Sequence, residues 1–214
     1  MTRRITLTFD NGPDPAVTPG VLDLLARYGI KTTFFVLGRK VSTPEGAALA
    51  SRALAEGHQI GAHTFSHRVP LGLLPPDEAV AEMDDTEQAI AAIGVTRHLF
   101  RPYGGGGKIG KHLMPRAVAD LLVARQYTCV LWNSVPGDWR DPEGWLPRAL
   151  ADVETRDWSL VVLHDINAAA MAHLEEFLQR LTQSGYEFRQ DFPPDCTPIV
   201  DGRIMQPIEG LVTD

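Results

Sequence analysis

Short runs of β-branched and aromatic residues alternate with helical patterns along most of the chain. The runs are Ile5 to Phe9, Thr32 to Leu37, Gln59 to His63, His98 to Arg101, Thr128 to Trp132, Ser159 to His164 and Tyr186 to Arg189. Between them, Val21, Leu22, Leu24 and Leu25 form the apolar stripe of a first helix, with Thr18 as its N-cap, Pro19 at its first helical position and Gly29 as its stop. Similar helical patterns run from Ala47 to Glu56, Asp77 to Ile93, Pro115 to Gln126, Pro142 to Val153 and Ala168 to Ser184. This alternation predicts an α/β fold whose parallel sheet is joined by crossover helices, and about seven parallel strands suggest a barrel-like closure. Connections are short, so no linker divides the chain. Residues 1–190 are expected to form the working unit. Residues 191–214, with Pro193, Pro194, Pro198 and Pro207, are expected as a tail that packs on the same domain with few regular elements.

Composition narrows this picture. At 214 residues the chain is long enough to bury a core as one domain. A net charge of -7 with no basic cluster argues against nucleic acid or an anionic membrane as partner. No run approaches the roughly 20 apolar residues of a membrane span, and Met1 to Leu7 leads directly into a strand without a signal core, so a cytoplasmic location is expected. Cys129 and Cys196 are read as two unpaired thiols.

The chemically suggestive residues fall at or just past strand ends: Asp10, His63, Arg101, Asp138 and His164. In barrels of alternating strands and helices that end carries the active site. Asp10 and Asn11 are adjacent and can approach one centre only if their strand ends there, and Gly12-Pro13 supplies a break. His63 and His67 would lie roughly 13 Å apart in an extended strand, at about 3.3 Å per residue, too far to share one ion. A helical turn aligning i and i+4 is therefore expected between them. Together the two segments describe a mononuclear metal site.

With these residues in place, the chain resembles the polysaccharide deacetylases of carbohydrate esterase family four, the NodB-homology domain, over roughly residues 4 to 190. Five segments carry the likeness in order: Asp10-Asn11, His63 to His67, Phe100-Arg101-Pro102-Tyr103-Gly104, Asp138-Trp139, and Leu160 to His164. The resemblance implies Asp10 as base, with Asn11, His63 and His67 as metal ligands. Arg101 orients the base, and the backbone of Tyr103 or Gly104 serves the oxyanion. Asp138 tunes His164, the general acid, and Trp139 walls the groove. Physical chemistry agrees with these roles: an arginine beside Asp10 keeps it ionised, and Asp138 raises His164 so that it holds a proton to deliver. Trp132, Trp145 and Trp158 are read as core or rim packing, His58 as a structural hydrogen-bonding residue, and His98, His112 and His173 as uninvolved.

Three departures mark this chain. The usual carboxylate at the second position of the first motif is Asn11, as in some muramic-acid deacetylases, and an amide brings no charge to the ion. The third motif is one residue shorter than usual, and Val135 stands where many relatives carry Asp. The expectation is a deformed (β/α) barrel acting as a metal-dependent N-deacetylase on N-acetylated amino sugars in chito- or peptidoglycan-like oligosaccharides. The ion is zinc, with cobalt or nickel as alternatives. Two other readings are hydrolysis of a non-sugar linear amide or cyclic imide, and a metal-free carbohydrate-binding protein. The partner is a small carbohydrate or amide substrate, and the oligomeric state is left open.

Overall fold

The computed structural model describes residues 2–213. Strand β1 (Arg4–Asp10) is buried along all but its first residue, as a strand covered on both faces must be. On one edge it pairs in parallel with β7 (Trp158–His164) along its whole length. Its other edge is shared: β2 (Thr33–Val36) takes Thr8 to Asp10, and β8 (Glu187–Arg189) takes Arg4 to Thr6. The parallel array continues from β2 through β3 (Gln59–Ala62) and β4 (Leu99–Phe100) to β6 (Thr128–Cys129). All seven expected strands are therefore present.

The sheet curls, and its closure is a single point. Past β6, Ser134 donates its N–H to Leu160 (3.1 Å) and accepts from Val162 (3.0 Å), an isolated parallel bridge to β7. Elsewhere the chain tail takes up the free edge of β6. There β9 (Ile199–Val200) pairs antiparallel with β6 and carries β10 (Arg203–Ile204) beyond it. A second small sheet joins β5 (Met114–Pro115) to β11 (Val212–Thr213). The tail thus holds more regular structure than its prolines suggested, because Ile199 and Cys196 are buried against the main sheet.

The helices cover the array. α1 (Thr18–Tyr28) ends at Gly29 in the left-handed region (φ 64°), as expected. Thr18 is its first residue rather than its cap, because the hydroxyl is used elsewhere: it accepts from the Asp14 N–H (2.7 Å) and donates to the Asp165 carboxyl (2.5 Å). α2 (Gly38–Val41) is a single turn. α3 (Pro44–Ala55) starts earlier than its pattern suggested, capped by Thr43 Oγ1 on the Gly46 N–H. α4 (Pro76–Ala91), α5 (Arg116–Ala124) and α6 (Trp145–Val153) match their patterns within a turn. The last pattern divides into α7 (Ala168–Met171) and α8 (Leu174–Gln183), where the bonding tightens to a His173 N–H on the Ala170 carbonyl. Both cysteines are buried and unpaired. Among the described residues no helix is long and apolar enough to cross a membrane.

Candidate active site

The C-terminal ends of β1, β3, β4 and β7 meet at one cleft. Asp10 ends β1, and Arg101 follows β4 with its guanidinium fully buried over the Phe35 ring, 4.1 Å away. One guanidinium nitrogen donates to Asp10 Oδ1 and to Thr8 Oγ1, each at 2.7 Å, and the others donate to the carbonyls of Val130 and Leu131. Thr8 lies on the same strand face as Asp10, a period-two relation readable in the sequence. Burial alone would raise the Asp10 carboxyl. The Arg101 guanidinium, with His164, outweighs it and holds Asp10 below its ordinary 3.8.

His63 Nδ1 donates to the Arg101 carbonyl (2.8 Å), so the unprotonated Nε2 faces the cleft, 3.7 Å from Asp10 Oδ2. The rings of His63 and His67 are 5.0 Å apart, but no helical turn brings them there. The chain turns instead through two left-handed residues, Thr64 (φ 66°) and His67 (φ 55°), a conformation that costs about 1–3 kcal/mol each outside glycine. His67 lies flat on Tyr103, with ring centroids 3.7 Å apart. Burial keeps both imidazoles neutral, lowering His63 against the pull of Asp10 and pushing His67 down to about 3.

The strand ends at Asp10 as expected, with Asn11 in the left-handed region (φ 71°) and a cis peptide bond at Gly12-Pro13. Gly12 is required for a close approach, since a Cβ there would lie 2.3 Å from the Asp165 carboxylate oxygens. Asp165 is itself fully buried, and burial pushes it up to about 6. Asn11 Oδ1 is buried with no hydrogen-bond partner, and it lines the same cleft as His63 and His67. Among the described residues no three His, Cys, Asp or Glu side chains group to hold an ion. The donor set is instead two neutral imidazoles and one orphaned amide oxygen, which suits a borderline divalent ion such as zinc.

Across the cleft, Asp138 is fully buried and accepts both the backbone N–H and Nδ1 of His164, each at 2.8 Å. Burial works against a charged imidazole, but the bond and charge of Asp138 exceed it and raise His164 above 6.5. Trp139 packs edge-on against the His164 ring at 4.8 Å. Tyr103, Gly104 and Trp139 all line the cleft, as expected. Trp132, read as core or rim packing rather than as part of the groove, is buried and lines the cleft as well. Its ring touches Gly104, where a Cβ would lie 2.5 Å away, and its Nε1 donates to the Gly107 carbonyl (2.9 Å). The clue lay in the glycine run, which leaves room for a large neighbour. His58 takes the structural role expected of it, accepting the Thr32 N–H on Nδ1 (3.1 Å).

Comparison with known proteins bears on this arrangement. A family model described as polysaccharide deacetylase matches residues 2–118. The chain belongs to the polysaccharide deacetylase family. Among the family's curated members it is 33% identical over 189 residues to the peptidoglycan-N-acetylglucosamine deacetylase PgdA of Listeria monocytogenes, covering 87% of this chain and 37% of that protein. It is 34% identical over 170 residues to a chitooligosaccharide deacetylase of Bradyrhizobium sp., covering 77% of this chain and 71% of that protein. The structure of peptidoglycan deacetylase PdaC from Bacillus subtilis superposes with a TM-score of 0.71 at 32% identity over 87% of both chains. The deformed barrel of the polysaccharide deacetylases is thus this chain's fold. The chain spans little more than a third of the length of PgdA.

Proposed function

We propose that the chain hydrolyses N-acetyl groups from N-acetylated amino sugars in peptidoglycan- or chitin-like oligosaccharides, with a divalent ion held by Asn11, His63 and His67. One observation carries this reading: two buried ion pairs of opposite sense open on one cleft, Asp10 with Arg101 and His164 with Asp138. The names of the relatives supply the class of substrate. A zinc ion at that donor set would lower the pKa of water toward about 7 and polarise the acyl carbonyl.

Asp10 Oδ2, the oxygen not bonded to Arg101, lies 3.7 Å from His63 Nε2 and is placed to take the proton of the attacking water. His164, with Nδ1 committed to Asp138, presents Nε2 to the cleft and delivers a proton to the departing amine nitrogen. The products balance as acetate and a free amino sugar. Tyr103 and Gly104 line the same cleft, where the backbone N–H of one of them would meet the oxyanion charge, and Trp132 and Trp139 would wall the sugar.

The test is acetate release from N-acetylated chitooligosaccharides and peptidoglycan fragments, before and after chelation and with zinc restored. Chelator-sensitive release from either substrate supports the reading. A zinc-loaded protein that frees no acetate from either would sink it, and ring opening of a cyclic imide would then name the replacement.

A further inference from the structure

Glu82 lies on α4, in the helix layer rather than among the reacting groups, yet it is only 9% exposed. Its Oε2 accepts the backbone N–H groups of Phe65 (2.8 Å) and Ser66 (2.7 Å), and its Oε1 accepts the Ser66 hydroxyl (2.5 Å). These donors come from the segment between His63 and His67, where the backbone turns through left-handed Thr64 and ends on left-handed His67. Such a turn leaves consecutive N–H groups pointing to one side without the carbonyl partners a helix would give them, and one carboxylate satisfies both. Glu82 is fixed in turn by α4, whose Thr86 hydroxyl bonds back to the Glu82 carbonyl (2.7 Å).

The two imidazoles depend on this segment unequally. His63 has its ring held by the Arg101 carbonyl. His67 rests on the Tyr103 ring and on a backbone bond to Thr64 Oγ1 (3.2 Å), so its position follows the backbone that Glu82 gathers. We propose that Glu82 is a positioning residue for the metal site, holding His63 and His67 converged before any ion arrives. The inference rests on the reading of those histidines as ligands. It has particular weight here because the third donor is a neutral amide: with less charge to attract an ion, affinity relies more on a site already formed.

Substitution separates positioning from support of the fold. Glu82→Ala leaves two N–H groups and a hydroxyl without partners. Glu82→Gln keeps one oxygen for both N–H groups and turns the Ser66 bond round, its amide donating to Oγ. Ser66→Ala keeps both N–H bonds to Glu82 and removes the hydroxyl bond, together with a 3.3 Å bond that Ser66 Oγ accepts from Arg68 Nε. For the full chain, zinc affinity would be read by competition with a chromophoric chelator, alongside the melting temperature of the metal-free protein. Glu82→Ala should bind zinc about tenfold or more weakly, Glu82→Gln should stay close to wild type, and Ser66→Ala should fall between them. Unchanged zinc affinity in Glu82→Ala, with only a lowered melting temperature, would overturn the inference. Should Glu82→Ala fail to fold, unchanged affinity in Ser66→Ala overturns it equally. A wild-type protein that binds no zinc defeats the ligand reading itself, an outcome distinct from both.

Discussion

The two sides of the cleft use the same ingredients to opposite effect. Each is a buried carboxylate bonded to a basic side chain at 2.7–2.8 Å. On one side the carboxylate faces the cleft and the base is hidden; on the other the base faces the cleft and the carboxylate is hidden. Asp10 and His164 line the cavity, whereas Arg101 and Asp138 stand behind them. The hidden partner fixes the proton state of the exposed one, Arg101 by a permanent charge and Asp138 by its bond to Nδ1 of His164 and its charge. The proposed proton acceptor and proton donor therefore differ by which member of the pair is turned outward.

The strongest way to break this comparison is to remove the hidden cation. Arg101→Met leaves Asp10 buried beside no guanidinium and should lower stability by about 3–5 kcal/mol at pH 7, with activity lost as well. Asp10 is depressed in the folded state, so the stability it contributes is present above its unfolded value and is lost as pH falls through the folded one. Wild type and variant should thus converge in strongly acid solution. Urea unfolding at several pH values reads this directly, and a constant gap across them would contradict the pairing.

Next in size is the outward carboxylate itself. Asp10→Asn can still accept from Arg101, so the fold should survive while kcat drops by about 10²- to 10⁴-fold. Turnover of wild-type magnitude on N-acetylated oligosaccharides would remove Asp10 from the role of base.

How much of this was legible beforehand varies with the physics of each part. The seven strands showed because β-branched and aromatic runs are local signals, and the Asp10, His63, Arg101 and His164 ends showed because strand ends in such a fold converge. The route between His63 and His67 did not. A positive φ at Thr64 and His67 is not a local signal of those residues, and the N–H groups between them are bonded by Glu82 from a distant helix. Thr18 read as a cap because its neighbours fit one, but Asp165, a partner far along the chain, claims the hydroxyl. Trp132 reads as core or rim packing because an indole at a strand end fits either; its fit against Gly104, in the cleft lining, makes it a cleft wall.

On the other side of the comparison, Asp138→Asn should act on pH dependence more than on the fold. His164 is raised in the folded state, so its contribution to stability is full below the unfolded value near 6.5 and is lost as pH rises through the folded one. Asn offers a donor where the carboxylate accepted, and the ring no longer gains from being charged. The alkaline limb of kcat should move toward acid, and the stability loss, about 1–3 kcal/mol at neutral pH, should shrink as the solution becomes alkaline. A limb that stays in place would show that His164 does not set it.

The mildest change sharpens the contrast without breaking either pair. Asn11→Asp adds a negative charge to the acceptor side alone, where Asn11 Oδ1 now sits buried and unbonded. If position 11 meets the ion, the carboxylate should hold zinc about tenfold or more tightly, because ligand charge tunes affinity. The ion would then be more fully neutralised and a weaker electrophile, so kcat should not rise with the tighter binding. In metal-free protein the new charge beside Asp10 should raise the Asp10 carboxyl, as like charges do. Chelator competition reads the first effect and single-turnover acetate release the second. Equal zinc retention by the wild type and the Asn11→Asp variant would show that the orphaned amide oxygen does not meet the ion, and the site would have to be rebuilt on the two imidazoles alone.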